Sequence, residues 1–259
     1  MSFSYQEFLQ LIGLYFWPFV RIGAMLSVIP LFGMRTVPVR SRLILTLMIT
    51  LVVAPMLVLP PAVDPFTWLG LLYMLQQVLI GLAMGIIFLV VFQAFVVAGH
   101  LIAMGMGLAF ASMVDPGSGM QSPVVSQYFT IIVTLLFLAL NGHLMVIHAV
   151  VESFNHLPVG ANFLTLDSLK LVYLFGSNMF AAGVLVALPA ITALLLINIA
   201  FGVITRAAPA LNIFAVGFPI TLMAGLLMLI FITPLILPHL QELLSRAIET
   251  IDQLQLTSS

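Results

Sequence analysis

The chain reads as an all-α polytopic membrane protein: a single domain over residues 1–259, with about six long hydrophobic helical blocks that Pro and Gly interrupt. Three observations predict that class. Hydrophobic residues make up 63% of the chain and charged residues 6%, against roughly 25% charged in a soluble domain, so water is not the main solvent of its surface. The apolar residues come in runs long enough to cross a hydrocarbon core of about 30 Å, which takes about 20 residues of helix. The longest interval without a formal charge, from Pro65 to Val114, extends over fifty residues.

Six apolar blocks run roughly over 8–34, 43–63, 66–104, 124–151, 171–205 and 211–238. The first follows MSFSYQEFLQ, which has no basic run and carries Glu7, so it is expected to stay as an anchor rather than be cleaved as a leader. Between the first two blocks, MRTVPVRSR holds Arg35, Arg40 and Arg42, an assembly of cations expected on the cytoplasmic side, with an external N-terminus. Six simple spans would then put Arg206 on the cytoplasmic side and the C-terminus outside. The third block, at 39 residues, and the fifth, at 35, exceed one perpendicular span. Each must tilt, project from the bilayer, or break into a hairpin.

Pro18, Pro55, Pro189, Pro219 and Pro234 lie inside blocks, where each frees a carbonyl and favours a kinked helix packed on protein. Gly81 and Gly85, four residues apart, share a helix face and permit close helix approach. After the fifth block comes RAAPALN, in which Arg206 complements the end of a helix and Pro209 to Asn212 start a new direction. The tail at 239–256 is amphipathic. Leu240, Leu243, Leu244, Ala247, Ile248, Ile251 and Leu254 form one stripe, with Glu242 and Arg246 paired at i, i+4 on the other side. Its acidic balance suits anionic lipid poorly, which favours docking on a protein partner.

Composition excludes several chemistries. There is no Cys for a disulfide, a thiolate metal site or a thiol nucleophile, and no basic run for nucleic acid. No Ser-His-Asp arrangement, paired catalytic carboxylates or phosphate-binding glycine loop can be assembled, so an enzyme is not expected. His148, Glu152 and His156 share a helix face at a spacing a metal could use. They lie where the fourth block runs out toward Pro158, so they are expected to meet water or headgroups, and no metal or cofactor is expected. His100 and His143 are expected to be interhelical hydrogen-bond partners. Arg21 lies deep in the first block with no acid beside it, which speaks against a proton relay and for a carbonyl-binding or partner-facing role.

The most specific stretch is the loop at 105–123, which contains GLAFASMVDPGSG. Gly105, Gly107, Gly117 and Gly119 give backbone freedom, and Pro116 and Pro123 forbid a continuous helix. Met104, Met106, Met113, Met120 and Phe110 supply soft apolar bulk around the lone acid Asp115. Non-helical backbone at membrane depth is tolerated only where protein buries it or it lines a cavity. The loop is therefore expected to close a passage by excluding water and to yield when something pushes through.

With that loop, the chain resembles the FliR family, the flagellar biosynthetic proteins of the type III export gate. The resemblance extends over nearly the whole chain and rests on FVRIGAMLSVIPLFGMRTVPVRSRL, QQVLIGLAMGIIFLVVFQAFVVAGHLI, MGMGLAFASMVDPGSG and RAAPALNIFAVGFP. Ala210 departs from the Gln expected in many relatives. The resemblance implies one subunit that assembles with FliP-like and FliQ-like partners into a helical, export-competent pore, with FlhB-like and FlhA-like components nearby. It implies unfolded flagellar export substrates, the bacterial inner membrane and the flagellar basal body. It also implies helices that pack on other subunits as well as on membrane lipid, and a plug formed by the loop from Phe110 to Gly119 beside a partner's methionine ring. A small-solute or ion transporter acting alone is the alternative; the lack of paired intramembrane charges and of an inverted repeat speaks against it.

Overall fold

The computed structural model describes residues 5–33, 37–108, 124–160, 165–208 and 213–256. Helix α1 covers Tyr5–Val28, and α2 is one short turn at Pro30–Gly33. Helix α3, Val39–Val53, ends in a tighter turn at Ala54–Met56, where Pro55 stops it. Helix α4 covers Trp68–Gly105, α5 Val124–Ala139, α6 Gly142–His156, α7 Leu166–Phe175, α8 Ser177–Ala207 and α9 Ile213–Leu256. Among the described residues there is helix and no strand. Five stretches are long and apolar enough to cross a membrane, and six if the bent pair α5–α6 is one span. With the bent pair counted as one span, the stretches follow the order of the six apolar blocks read from the sequence.

The long blocks resolve differently. Helix α4 contains no proline and runs for 38 residues unbroken, about 57 Å at 1.5 Å per residue, so the hairpin alternative is not taken. It is also the most enclosed: 67% of its most apolar window is buried, against 22% for α3. The fifth block begins earlier than its apolar run, because Thr165 caps α7 by accepting the Ser168 N–H, at 3.2 Å, and Asp167 sits in the first turn. A break at Gly176 then separates α7 from α8.

The tail is where the structure departs most from the sequence expectation. Residues 239–256 are not a separate helix; α9 passes through Pro234 and Pro238 and continues to Leu256. Its apolar stripe is not free for a partner either. Leu240, Leu244, Ala247, Ile251 and Leu254 are at most 2% exposed, so this chain itself covers them.

The backbone divides into two compact units, one of residues 1–90, 140–176 and 244–259, the other of 91–139 and 177–243. In the first, α1 lies against the first part of α4. A Cβ on Gly81 would run into the Arg21 carbonyl, and one on Gly85 would lie 2.8 Å from the Met25 carbonyl and 3.1 Å from Val28 Cβ. Gly81 and Gly85 thus track Arg21 and Met25 turn for turn, the close approach expected of that pair. Trp17, Ile22, Met25, Ile80 and Met84 form the dry interior there. In the second unit, Phe92 and Phe137 meet at 5.2 Å between ring centres. Gly99 admits the backbone of Ser126, and Gly183 admits the Ala94 carbonyl.

Candidate functional site

The sequence-predicted gate loop leaves α4 through a Gly-terminated helix end. Gly107 has φ of 82° and donates its N–H to Met104 O at 3.0 Å, while Leu108 N–H reaches Ala103 O at 3.0 Å. This pair of backward bonds around a left-handed residue closes a helix C-terminus and needs glycine at the turning point. Gly107 therefore stops the helix. Gly105 serves packing instead: a Cβ there would meet Leu194 of α8 at 3.1 Å.

The loop root is gripped from two sides. Met106 is buried, and its side chain lies against Gly225 of α9, where a Cβ would overlap it. Thr221 Oγ1, one turn before Gly225, donates to Met106 O at 3.4 Å and to its own Phe218 O at 3.0 Å. From α8, the Asn198 side-chain amide donates to Gly105 O at 3.4 Å. An apolar cleft of about 590 Å³ opens beside these contacts, lined by Met106 and Leu108 before the loop, Val124 and Val125 after it, and Leu222 and Leu226 of α9. Both roots of the loop thus border one greasy hollow. Tyr128 also borders it, and its hydroxyl is engaged with Thr233, at 2.7 Å.

Of the predicted gate residues, Gly105, Met106 and Gly107 fall within this root. Phe110, Met113, Asp115, Pro116, Gly117, Gly119 and Met120 lie outside the described residues, as do Arg35, Pro209 and Asn212. Arg206 is exposed in the last turn of α8. Arg40 is exposed, while Arg42 Nε donates to Phe32 O at 3.1 Å and ties the start of α3 to the turn before it.

Arg21 occupies a second constellation, wholly inside the first unit. It is fully buried, and every hydrogen-bond partner it has among the described residues is neutral. Nε donates to Gln77 Oε1 at 2.8 Å, and one terminal nitrogen donates to both Ser153 O and Ser153 Oγ at 2.9 Å. The other donates to Leu157 O at 2.7 Å, and the guanidinium lies 3.8 Å from the Phe154 ring centre. Two of the acceptors are carbonyls at the C-terminal end of α6, where the helix dipole favours a cation; Ser153 O also accepts the Leu157 N–H, at 2.9 Å, and Leu157 O lies just past the last turn. Arg21 thus caps α6 from another helix. The planar fork suits this, because it reaches acceptors on two helices at once.

The sequence did not single out Gln77, Ser153, Leu157, Asn198, Thr221 or Gly225. One signal was available: Gln76 and Gln77 are adjacent amides inside the fifty-residue charge-free interval. The histidines differ from expectation. His100 is exposed, and among the described residues the buried Nδ1 of His143 has no hydrogen-bond partner. Glu152 and His156 approach to 3.5 Å at an exposed helix end. Among the described residues no three His, Asp or Glu side chains gather as a metal would require.

The comparison with known families matches residues 12–247 to the model described as bacterial export proteins, family 1. That range takes in Arg21, both loop roots and most of α9. The flagellar biosynthetic protein FliR of Escherichia coli (strain K12) is 40% identical, over 93% of this chain and 92% of the relative. The protein of that name from Pectobacterium carotovorum subsp. carotovorum is 39% identical over the full length of both.

The chain belongs to the FliR family.

Within that family it is a subunit of the flagellar export apparatus, an all-α polytopic membrane protein. Buchnera aphidicola subsp. Acyrthosiphon pisum (strain APS) has a FliR protein that is 33% identical across 94% of each chain. The capped loop root and the Arg21 node both lie within residues 12–247, the range matched to the family.

Proposed function

We propose that this chain forms the export pore of the flagellar gate together with FliP-like and FliQ-like subunits, and that residues 105–123 are its plug. FlhB-like and FlhA-like components complete the surroundings, unfolded flagellar substrates pass, and the site of action is the inner membrane at the basal body. The chain contributes architecture and gating and carries out no bond chemistry. One observation carries the reading. A segment rich in Met and Gly, with Phe110 among them, begins and ends on the rim of one apolar cleft, and its root at Met106 is fixed by Thr221 and Gly225. A gate needs that combination, a rigid base and an apolar closing segment that keeps the passage dewetted.

Deletion of Phe110 to Gly119, expressed with FliP-like and FliQ-like partners, tests it. The assembly is expected to form at the wild-type level, because the packing surfaces lie on the helices, while the membrane becomes permeable to small ions. Gly117→Asp is expected to act the same way, by adding charge to the constriction. Without partners, neither variant leaks. An assembled deletion variant in a membrane as tight as wild type removes the plug role, and a leak without partners points to a chain that conducts alone.

A further inference from the structure

Between α3 and α4, residues 56–68 turn large apolar side chains outward from a largely irregular backbone. Met56, Val58, Leu59, Phe66 and Trp68 are exposed, Val58 to 84%, Phe66 to 94% and Trp68 to 76%. The segment is held in place. Pro60 is buried against α1, where a Cβ on Gly13 would lie 3.2 Å from its ring. Asp64 Oδ1 accepts the Phe66 N–H at 2.9 Å, and Asp64 O accepts the Thr67 N–H at 3.1 Å and the Thr67 hydroxyl at 2.7 Å. Phe66 and Trp68 therefore stand outward on a fixed turn. Among the described residues the N–H groups of Val58, Leu59 and Ala62 have no acceptor.

That combination suits neither of the two simple surroundings. Water would leave five large apolar side chains uncovered. Hydrocarbon would strand the free N–H groups, since irregular backbone is not tolerated facing acyl chains. The headgroup–acyl boundary accepts both, because rings and aliphatic chains reach toward the acyl region while the backbone meets headgroups and water. Position agrees. The segment is continuous at both ends with stretches long and apolar enough to cross the membrane, Val39–Met56 and Trp68–Gly105. The first has 18 residues, about 27 Å at 1.5 Å per residue, against a hydrocarbon core of about 30 Å. Its other end carries Arg40, exposed, and Arg42, a residue type whose long side chain reaches back to the interface. Between the two ends its open side is aliphatic. Leu43, Ile44, Leu47, Met48, Leu51 and Val52 are exposed, while Thr46 and Thr50 are buried and bonded to carbonyls of their own helix.

We propose that residues 56–68 are an interfacial anchor, seated in the headgroup–acyl boundary of the leaflet opposite the arginines, with Val58, Leu59, Phe66 and Trp68 immersed in lipid. The occupant of this patch is the bilayer itself. The anchor and the arginines bracket α3 from its two ends, and together they set the depth at which α3 and the start of α4 lie. The inference needs only that the chain is a membrane protein, so it stands or falls apart from the pore and the plug.

The chain has no cysteine, so a single one at Val58, Phe66 or Trp68 takes a nitroxide where the side chain already points outward and no packing is lost. Leu47→Cys, midway along α3 and also exposed, gives the deep comparison. The full chain with cysteine-free partners is reconstituted into phosphatidylcholine–phosphatidylglycerol vesicles. Collisions of each label with oxygen, which concentrates in lipid, are compared with those of a water-soluble nickel chelate. Oxygen collisions are expected to exceed nickel collisions at all three sites, with the ratio several-fold higher still at Leu47. Phe66→Ser combined with Trp68→Ser is expected to shift the ratio at Leu47, as the span settles at a new depth. Nickel collisions at the three sites as frequent as for a free nitroxide in buffer would place the segment in water. Labels closed to both oxygen and nickel would place it against another subunit, and either result overturns the proposal. An unshifted ratio at Leu47 in the double variant removes the depth-setting role.

Discussion

Replacing Arg21 by Met removes a charge that touches no acid, and the cost follows from what is left behind. Ser153 O keeps a donor, because Leu157 N–H already reaches it at 2.9 Å. Ser153 Oγ also keeps its bond to Val150 O, at 2.6 Å. Gln77 Oε1 and Leu157 O lose the guanidinium donors that reach them at 2.8 and 2.7 Å. A buried acceptor stripped of its partner costs about 1–3 kcal/mol, so the two together amount to about 2–6 kcal/mol. Relief from burying a guanidinium offsets part of this, and Met fills most of the volume. A net loss of about 2 kcal/mol or more is expected.

The assay is the unfolding midpoint in mixed dodecylmaltoside–SDS micelles, followed by tryptophan fluorescence. Trp17 is fully buried one turn before Arg21 and edge-on to Tyr73 at 6.1 Å, so its emission reports on this part of the fold. Arg21→Lys should fall between wild type and Arg21→Met, because an ammonium cannot span acceptors on two helices. The decisive variant is Arg21→Met with Gln77→Leu. It removes one of the two orphaned acceptors and should recover about 1–3 kcal/mol relative to Arg21→Met. A wild-type midpoint for Arg21→Met, or a double variant no more stable than the single, would refute the capping role.

Gly81→Leu should prevent accumulation of folded protein, since its Cβ would strike the Arg21 carbonyl, whereas Gly202→Leu should be tolerated because nothing lies within 4 Å of its Cβ; membrane levels by immunoblot decide between them. Gly107→Val forces a β-branched residue to φ of 82° and should cost at least about 1–2 kcal/mol by the same unfolding midpoint, with Gly107→Asn milder. Arg206→Glu should lower assembly more than Arg206→Lys in co-purification, because Arg206 sits in the last turn of α8 and a carboxylate there opposes the helix dipole. Equal recovery of both would remove that role.

The helices were legible in the sequence where one rule acted alone. The end of α4 was marked by Gly107, and its unbroken length by the absence of proline between Trp68 and Gly105. The run of α9 was misjudged because polarity changes at His239 and proline stands at 234 and 238. Phase carried the better information. Leu229, Ile232, Ile236, Leu240, Leu243, Ala247, Ile251 and Leu254 are all buried at helical spacing, so one stripe crosses the apparent boundary without a slip. The start of α7 was likewise written in Thr165 and Asp167, a cap signal ahead of the apolar run. The Arg21 node was only half legible. A lone buried arginine implied carbonyl partners, but Gln77, Ser153 and Leu157 lie 56, 132 and 136 residues away, and no local rule connects them.

The glycines explain why so apolar a chain has a defined interior at all. In lipid, burying one leucine against another gains little, because the acyl chains are equally apolar; close backbone contact and hydrogen bonds decide which helices meet. Gly81, Gly85, Gly99, Gly183 and Gly225 each have a neighbouring backbone or side-chain atom where a Cβ would stand. The polar side chains do matching work at Arg21, Ser126 and Thr221, each bonded to a carbonyl of another segment. Selective contact inside the chain is thus made by small and polar residues, while large apolar residues such as Leu185, Leu196, Met223 and Phe231 remain outside.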